Sequence, residues 1–306
     1  MRTPFIRMPL SLLCAVLIIS ILSACNDSTN KTGPHTSTST PFYTLTGGST
    51  CVELGSHPQP PYTNVQVSHD SYLAHSEPML VEDPHNPLHL VGGSKFFTVP
   101  AQYRFQIGYY ASFDGGCTWS DGGVLPGFAK NETTSDISFA FGTHNEVYAA
   151  VLYNFKRESG IAVSTSTDGG KTFGLPVSVF DDKTGHVFSD KPWIAVDQTR
   201  GRYSGSIYVV WSYDHNGNCG DGNNCSEELA FSSSTDRGKS FSPVRLVEGS
   251  APFCTNPTTG RPAHSTKCDA AQGIIPVVEP DGTIVLSFPY IDLRSGSIPT
   301  RILVTT

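Results

Sequence analysis

The sequence has few charged residues and no excess of basic ones. Of its 306 residues, 15% are charged, and 20 Lys and Arg stand against 27 Asp and Glu, which gives a formal net charge of −7. This balance argues against nucleic acid or an anionic membrane as an electrostatic partner. The chain also lacks a CxxC pair, which argues against a zinc site of the zinc-finger type. Glycine (29) and proline (22) are abundant instead, as in proteins made of short strands and tight turns.

The N-terminus has the features of a targeting segment. Two arginines precede an apolar run over residues 10–22, and Leu22-Ser23-Ala24-Cys25 resembles a bacterial lipobox. We therefore predict a signal peptide over residues 1–24 and a lipid on Cys25, which would anchor the exported chain to the outer face of the bacterial cell membrane. The alternative is a plain secretory signal or an uncleaved anchor, although the run is short for a membrane span.

The stretch that follows the predicted signal peptide differs in composition from the rest of the chain. Residues 25–41 are rich in Ser, Thr and Asn and almost free of apolar side chains. Such a segment cannot bury a core, so it is predicted to be a flexible tether. The globular part is expected over residues 42–306 as one large β domain.

The cysteines of the globular part are predicted to form disulfides. Of the eight cysteines, Cys14 lies in the predicted signal peptide and Cys25 is the proposed lipid site, which leaves an even number in an exported chain. Proximity along the chain is the sole basis for a pairing, since six cysteines allow fifteen arrangements. The favoured pairs are Cys219 with Cys225, Cys254 with Cys268, and Cys51 with Cys117.

One short pattern, S-x-D-x-G-x-[ST]-[WF], occurs three times. Its carboxylate and hydroxyls can bind turn amides, its glycine can take a positive φ, and its closing aromatic can start a buried return strand. Because each copy follows an apolar or alternating run, each is predicted to join two antiparallel strands. The copies are Ser112-Phe113-Asp114-Gly115-Gly116-Cys117-Thr118-Trp119, Ser166-Thr167-Asp168-Gly169-Gly170-Lys171-Thr172-Phe173 and Ser234-Thr235-Asp236-Arg237-Gly238-Lys239-Ser240-Phe241.

This pattern resembles the Asp-box, or bacterial neuraminidase repeat, of sialidase-like β-propellers. The resemblance implies an all-β propeller of four-stranded antiparallel blades, with the boxes on its outer rim and the ligand site on its axis. Asp114, Asp168 and Asp236 are accordingly expected to be structural. About four blades are predicted. Either Tyr62–Ser68 supplies the strand that closes a four-bladed ring, or, as we favour, the chain is a truncated six-bladed ring, and we expect a monomer.

Acidic residues recur where the innermost strand of each blade is expected to begin. Glu77, Asp136 and Asp190 precede the first three of these strands, and Lys191 follows Asp190. Because inner strands line the channel of a propeller, these residues are predicted to form the ligand site. They could act in glycoside hydrolysis, or bind a cation or sugar hydroxyls. The alternative is that they cap turns between blades.

The resemblance also implies catalytic residues that this chain lacks. Sialidases carry an Arg-Ile-Pro motif at the first inner strand, whose arginine grips the substrate carboxylate. This chain has Ser76-Glu77-Pro78 there, and no Asp or Glu occurs between Asp83 and Asp114, where the family's acid/base Asp would lie. Arg294 and Arg301 match no family motif. Cleavage of sialosides is therefore not expected, because an arginine fork is what a sugar carboxylate needs.

One loop has the beginning of a calcium motif. Asp214, Asn216 and Asn218 follow the D-x-N-x-N order, but an EF-hand would need Gly in place of Cys219 and Glu in place of Cys225. A turn braced by a disulfide is the favoured prediction, with calcium as the weaker one, and no other cofactor is predicted.

Several aromatic side chains remain to be assigned. Most are expected in the core between blades, and a minority could stack on sugars. They include Phe96, Phe97, Tyr109, Tyr110, Trp193 and Trp211.

Three functions are compatible with these features. The first is a noncatalytic propeller that binds a glycan or a cell-surface protein through the loops around Glu77, Asp136 and Asp190. The second is an exo-acting glycoside hydrolase of the sialidase superfamily with a divergent or incomplete catalytic set. The third is an assembly or scaffold propeller. The first is favoured because the site residues of a sialidase are missing while the fold signal is present.

Overall fold

A computed structural model describes residues 65–72, 74–128, 133–155, 158–215, 227–247, 273–291 and 300–306. All of them lie in the second of two compact units of the chain, Gly47–Thr306. The predicted signal peptide, Cys25 and the tether over 25–41 lie outside the described residues. Of the predicted disulfide cysteines, Cys117 is the one that lies within the described residues, where it is buried. The pairing of the cysteines therefore stays a prediction. Within the described ranges, no helix combines the length and apolar character that a membrane crossing requires.

The described residues form antiparallel sheets in which strands follow one another in chain order. This confirms the predicted all-β class and the blade-like organisation. The first sheet contains β1 (His75–Asp83), β2 (Asn86–Val99), β3 (Arg104–Ser112) and β4 (Ser120–Val124). The second contains β5 (Thr133–Phe141), β6 (Val147–Phe155), β7 (Glu158–Ser166) and β8 (Val177–Asp182). The third contains β9 (Val187–Val196), β10 (Ile207–His215), β11 (Glu227–Ser234) and β12 (Arg245–Val247). The fourth has three described strands, β13 (Ile275–Val278), β14 (Ile284–Ile291) and β15 (Thr300–Thr305).

Apolar layers between successive sheets form the core. Successive side chains of a strand point to opposite faces of its sheet, so each central strand can contribute to the apolar layers on both sides. On β6, for example, Ala149 and Val151 pack toward the first sheet, whereas Ala150 and Leu152 pack toward the third. The largest side chain in these layers is Trp211, which is fully buried between the second and third sheets. The first strands of successive sheets, β1, β5, β9 and β13, lie beside one another.

The three repeats form the hairpin turns between β3 and β4, β7 and β8, and β11 and β12. In the first, Ser112 Oγ donates to Asp114 Oδ1 at 2.9 Å and accepts from the Gly116 amide at 2.9 Å. The Asp114 carboxylate also accepts from the amide and hydroxyl of Thr118, at 2.9 and 2.5 Å. The other two turns repeat this network around Asp168 and Asp236. The carboxylate thus serves the backbone of its own turn.

The prediction of a strand over Tyr62–Ser68 is wrong for the part that the structure describes. Residues 65–69 are irregular and lie over the face of the first sheet that points away from the second. Asp70 explains the difference, because its carboxylate accepts from the Tyr72 amide at 2.9 Å and contacts His75 at 3.0 Å. This turn stacks the Tyr72 ring on Phe96, with centroids 4.0 Å apart, instead of extending the chain.

Candidate functional site

The predicted site residues lie within the first strands of their sheets, not before them as the sequence suggested. Glu77, Asp136 and Lys191 have φ values of 52°, 53° and 49°. Each stands at a β-bulge, where two residues of β1, β5 or β9 face a single residue of the neighbouring strand. The three positions are therefore equivalent in the three sheets.

A left-handed backbone is unfavourable for residues with a side chain. The cost is roughly 1–2 kcal/mol for each non-glycine residue, and such residues persist only where the surrounding structure holds them. Here the surrounding ladder resumes on both sides of each bulge. Strained residues concentrate at ligand sites, and these three also carry the charged side chains of the site.

Ion pairs and hydrogen bonds connect these side chains across the sheets. Lys95 on β2 donates to Glu77 Oε1 at 2.7 Å, and Ser135 on β5 donates to Glu77 Oε2 at 3.3 Å. Lys191 on β9 donates to Asp136 Oδ1 on β5. The structure thus brings Glu77, Asp136 and Lys191 together, and links the first three sheets through them. We call Glu77, Lys95, Asp136, Asp190 and Lys191 the charged cluster.

Asp190 holds the backbone of its neighbour. Its Oδ1 atom accepts from the Lys191 amide at 3.0 Å. Burial alone would lower the pKa of the Lys191 ammonium, but the hydrogen bond and charge of Asp136, followed by the charges of Asp190 and Glu77, raise it above the ordinary value. Lys191 therefore stays a cation at neutral pH, although its side chain is 43% exposed and so partly screened.

Sequence reasoning missed Lys95 and the aromatic group beside it. Lys95 is 7% exposed, and its Nζ atom lies 4.7 Å from the centroid of the Phe105 ring. Phe105 contacts Tyr103 and Phe97 through edge-on contacts, with centroids 5.2 and 5.7 Å away. No local pattern marks Lys95, because the pairing register of β1 with β2 is what places it opposite Ser76, next to Glu77.

The charged cluster is suited to hydroxyl groups and poorly suited to a sugar carboxylate. Both lysines are already paired with a carboxylate, so neither offers an uncompensated cation. Each carboxylate oxygen keeps a further lone pair that can accept from a hydroxyl, and each ammonium has three donors. Residues 84–104 contain no Asp or Glu, so β2 and the turn that follows it supply no second acid near Glu77.

The remaining predicted residues are distributed over the core and the margins of the structure. Asp214 lies in β10, whereas Asn216, Asn218 and Arg294 lie outside the described residues. The described residues contain no group of three His, Cys, Asp or Glu side chains that could hold a metal ion. Calcium at Asp214 therefore stays a prediction.

The buried aromatics are Phe96, Tyr109, Tyr110 and Trp211, while Phe97 and Trp193 are half-buried.

The fold defined by these sheets and box turns is that of a sialidase-like β-propeller. No protein-family model and no curated protein matches the sequence. Among solved structures, the chain is similar to Hadza microbial sialidase Hz136, with a TM-score of 0.50 and 15% identity over 76% of this chain and 44% of that one. A protein of unknown function from Dyadobacter fermentans DSM 18053 is similar with a TM-score of 0.50 and 14% identity over 78% of this chain and 66% of that one. The chain thus spans less than two thirds of the length of either structure.

Proposed function

We propose that this chain is a noncatalytic propeller that binds an uncharged, hydroxyl-rich glycan at the charged cluster. One observation carries this proposal: three equivalent, strained bulge positions present Glu77, Asp136 and Lys191 to one another, with every lysine of the cluster paired to an acid. A polyhydroxylated ligand needs fixed donors and acceptors side by side, and this cluster supplies both.

The pairing of charges also supports a substrate preference. A sialoside carboxylate would have to displace Glu77 from Lys95 or Asp136 from Lys191, which leaves a carboxylate without its partner. No arginine stands at the Ser76-Glu77-Pro78 position to take that carboxylate bidentately. We therefore propose neutral sugars in preference to acidic ones.

The localisation that we propose follows from the N-terminal sequence. Lipid on Cys25 and a polar tether over 25–41 would hold the propeller at the outer face of the bacterial cell membrane as a monomer. At that place, a glycan or a glycosylated cell-surface protein is the expected partner. The excess of acidic residues makes nucleic acid an unfavourable one.

The proposal is tested by measuring binding of the full chain to a panel of soluble oligosaccharides. The panel holds neutral gluco-, galacto-, manno-, xylo- and arabino-configured members, with sialyllactose as the acidic member. Asp136→Asn should weaken binding to the preferred neutral sugar about tenfold or more, since it removes a charged acceptor. Glu279→Gln is the matched control, because Glu279 is an exposed acid in the turn between β13 and β14, and it should bind like the wild type.

Other outcomes would assign the protein differently. Turnover of a fluorogenic glycoside by the well-folded chain would favour the hydrolase and overturn the noncatalytic proposal. A tight protein partner with no response to any glycan would favour the scaffold function.

A further inference from the structure

We infer that Tyr103 is a stacking platform for the C–H face of an uncharged pyranose ring whose hydroxyl edge reaches Glu77 and Lys95. This inference rests on the proposed glycan-binding function and specifies the shape of its ligand. Four observations carry it: the exposure of the Tyr103 ring, its support by other rings, its backbone conformation, and its position beside the charged cluster.

The Tyr103 side chain is unusually open to solvent for an aromatic residue. It is 68% exposed, compared with 49% for Tyr203 and 44% for Phe113. A single exposed apolar side chain is common and needs no function. The exposure therefore matters only together with the features that hold this ring in place.

Two further rings support Tyr103 from below. Phe105 meets it edge-on, with centroids 5.2 Å apart and planes at 84°, and Phe97 lies 5.6 Å away at 57°. Because aromatic pairs of this geometry attract one another, the Tyr103 ring has a fixed orientation with one face left for solvent or ligand. A platform that is already ordered loses little entropy when a ligand binds.

The backbone at Tyr103 is held in a conformation that tyrosine disfavours. Its φ and ψ are 51° and 40°, at the end of the short 3-10 turn Pro100–Gln102, where its amide donates to Pro100 O at 3.0 Å. Glycine would fit this position without strain, so the bulky side chain is present at a cost. Glu77, on β1 of the same sheet, also has a positive φ. Glu77 contacts Lys95 directly, and the Phe105 ring connects Lys95 with Tyr103.

This arrangement matches the two sides of a pyranose ring. One face of such a sugar can present a patch of C–H groups, while its edge carries hydroxyls. The Tyr103 ring would take the C–H face, and Glu77 and Lys95 would take hydroxyls at the edge. Galacto-configured sugars fit best, because the C–H bonds at C3, C4 and C5 lie on the same face of the ring.

The inference is tested with the full chain and methyl β-D-galactopyranoside, observed by proton NMR. Ring-current shifts to high field are expected at H3, H4 and H5 of the sugar in the wild-type complex, and should vanish in Tyr103→Gly, which relieves the backbone strain and removes the ring. Affinity should fall about tenfold in Tyr103→Gly and stay within about twofold in Tyr103→Phe. Tyr203→Ala alters an exposed tyrosine in the turn between β9 and β10; it is the control and should bind like the wild type.

The outcomes separate this inference from the proposal on which it rests. If the wild type binds the sugar and Asp136→Asn weakens it while Tyr103→Gly does not, the platform is refuted and the glycan-binding function stands. If the wild type binds neither this sugar nor any other member of the panel, both fail together.

Discussion

The Nε2 atom of His89 lies 2.7 Å from the carbonyl oxygen of Gly169. His89 belongs to β2 of the first sheet, and Gly169 to the box turn of the second, so this hydrogen bond joins the two sheets. A similar link joins the next two sheets, where Arg237 of the third box turn pairs with the buried carboxylate of Glu146. The box turns therefore brace neighbouring sheets as well as their own hairpins.

Replacing His89 should destabilise the protein strongly. Its ring is 3% exposed, stacks on Phe113 at 4.5 Å and meets Phe141 edge-on at 4.8 Å, so His89→Ala loses packing together with the inter-sheet hydrogen bond. We expect a loss of about 2–4 kcal/mol in the free energy of unfolding, measured by urea titration. His186→Ala alters an exposed histidine and should change stability by less than about 0.5 kcal/mol. Equal effects of the two substitutions would contradict this role of His89.

The third box turn should contribute to stability in a pH-dependent way. Hydrogen bonds from Ser240 and Ser234 lower the pKa of Asp236 from 3.8 to about 2. Because the folded-state pKa is lowered, the stabilisation is complete above the ordinary pKa and is lost as the pH falls through about 2. In Asp236→Asn this dependence should disappear, so the difference in Tm between wild type and variant should be largest above pH 4 and close as the pH falls towards 2.

Thermal unfolding across this pH range measures the difference. Glu279→Gln is the control, since it removes an exposed carboxylate outside the box turns and should follow the wild type at each pH. A Tm difference between wild type and Asp236→Asn that stays constant with pH would rule out the proposed titration.

The bulge strain at Asp136 can be measured by comparing two substitutions. Asp136→Gly and Asp136→Ala both remove the carboxylate that pairs with Lys191, so the difference between them reports on the backbone. Because only glycine takes φ of 53° without strain, the glycine variant should be more stable by about 1–2 kcal/mol. The order should reverse at Asp181 on β8, where φ is not positive and glycine weakens a strand. Alanine equal to glycine at position 136 would refute the strain.

Trp211 should tolerate loss of its indole nitrogen but not loss of its rings. The side chain is fully buried, and its Nε1 atom has no hydrogen-bond partner among the described residues. Trp211→Phe therefore removes a donor that contributes nothing, and we expect it to cost about 1 kcal/mol, whereas Trp211→Ala should cost about 3–5 kcal/mol. Chemical denaturation of both variants measures this, and a Phe variant as unstable as the Ala variant would indicate a hidden partner.

Sequence reasoning reached the fold because its signals are local. The signature of a box turn lies within eight consecutive residues, as in Ser166 to Phe173, and the hydrogen bonds of its serine and aspartate side chains stay within that stretch. The candidate site is different, since its members meet only through strand register. Glu77 and Asp136 were chosen from their place in the chain, but Lys95 was missed because it becomes a neighbour of Glu77 by pairing across β1 and β2.

Local alternation was also insufficient where tertiary packing decides the conformation. The pattern over Tyr62–Ser68 favours a strand, yet residues 65–68 are irregular beside the first sheet. Likewise, nothing in the sequence around Tyr103 distinguishes a supported, solvent-facing ring from a core aromatic. That distinction depends on the turn at Pro100 and on Phe105.

The repeated bulge gives three sheets the same backbone position for a charged side chain. Glutamate, aspartate and lysine occupy the same backbone position in three successive sheets, although their charges differ in sign. The side chain at each bulge can therefore differ while the hydrogen-bonded ladder on both sides of it stays the same. The charge at each of these positions can therefore change by a single substitution while the sheets and their box turns stay unchanged.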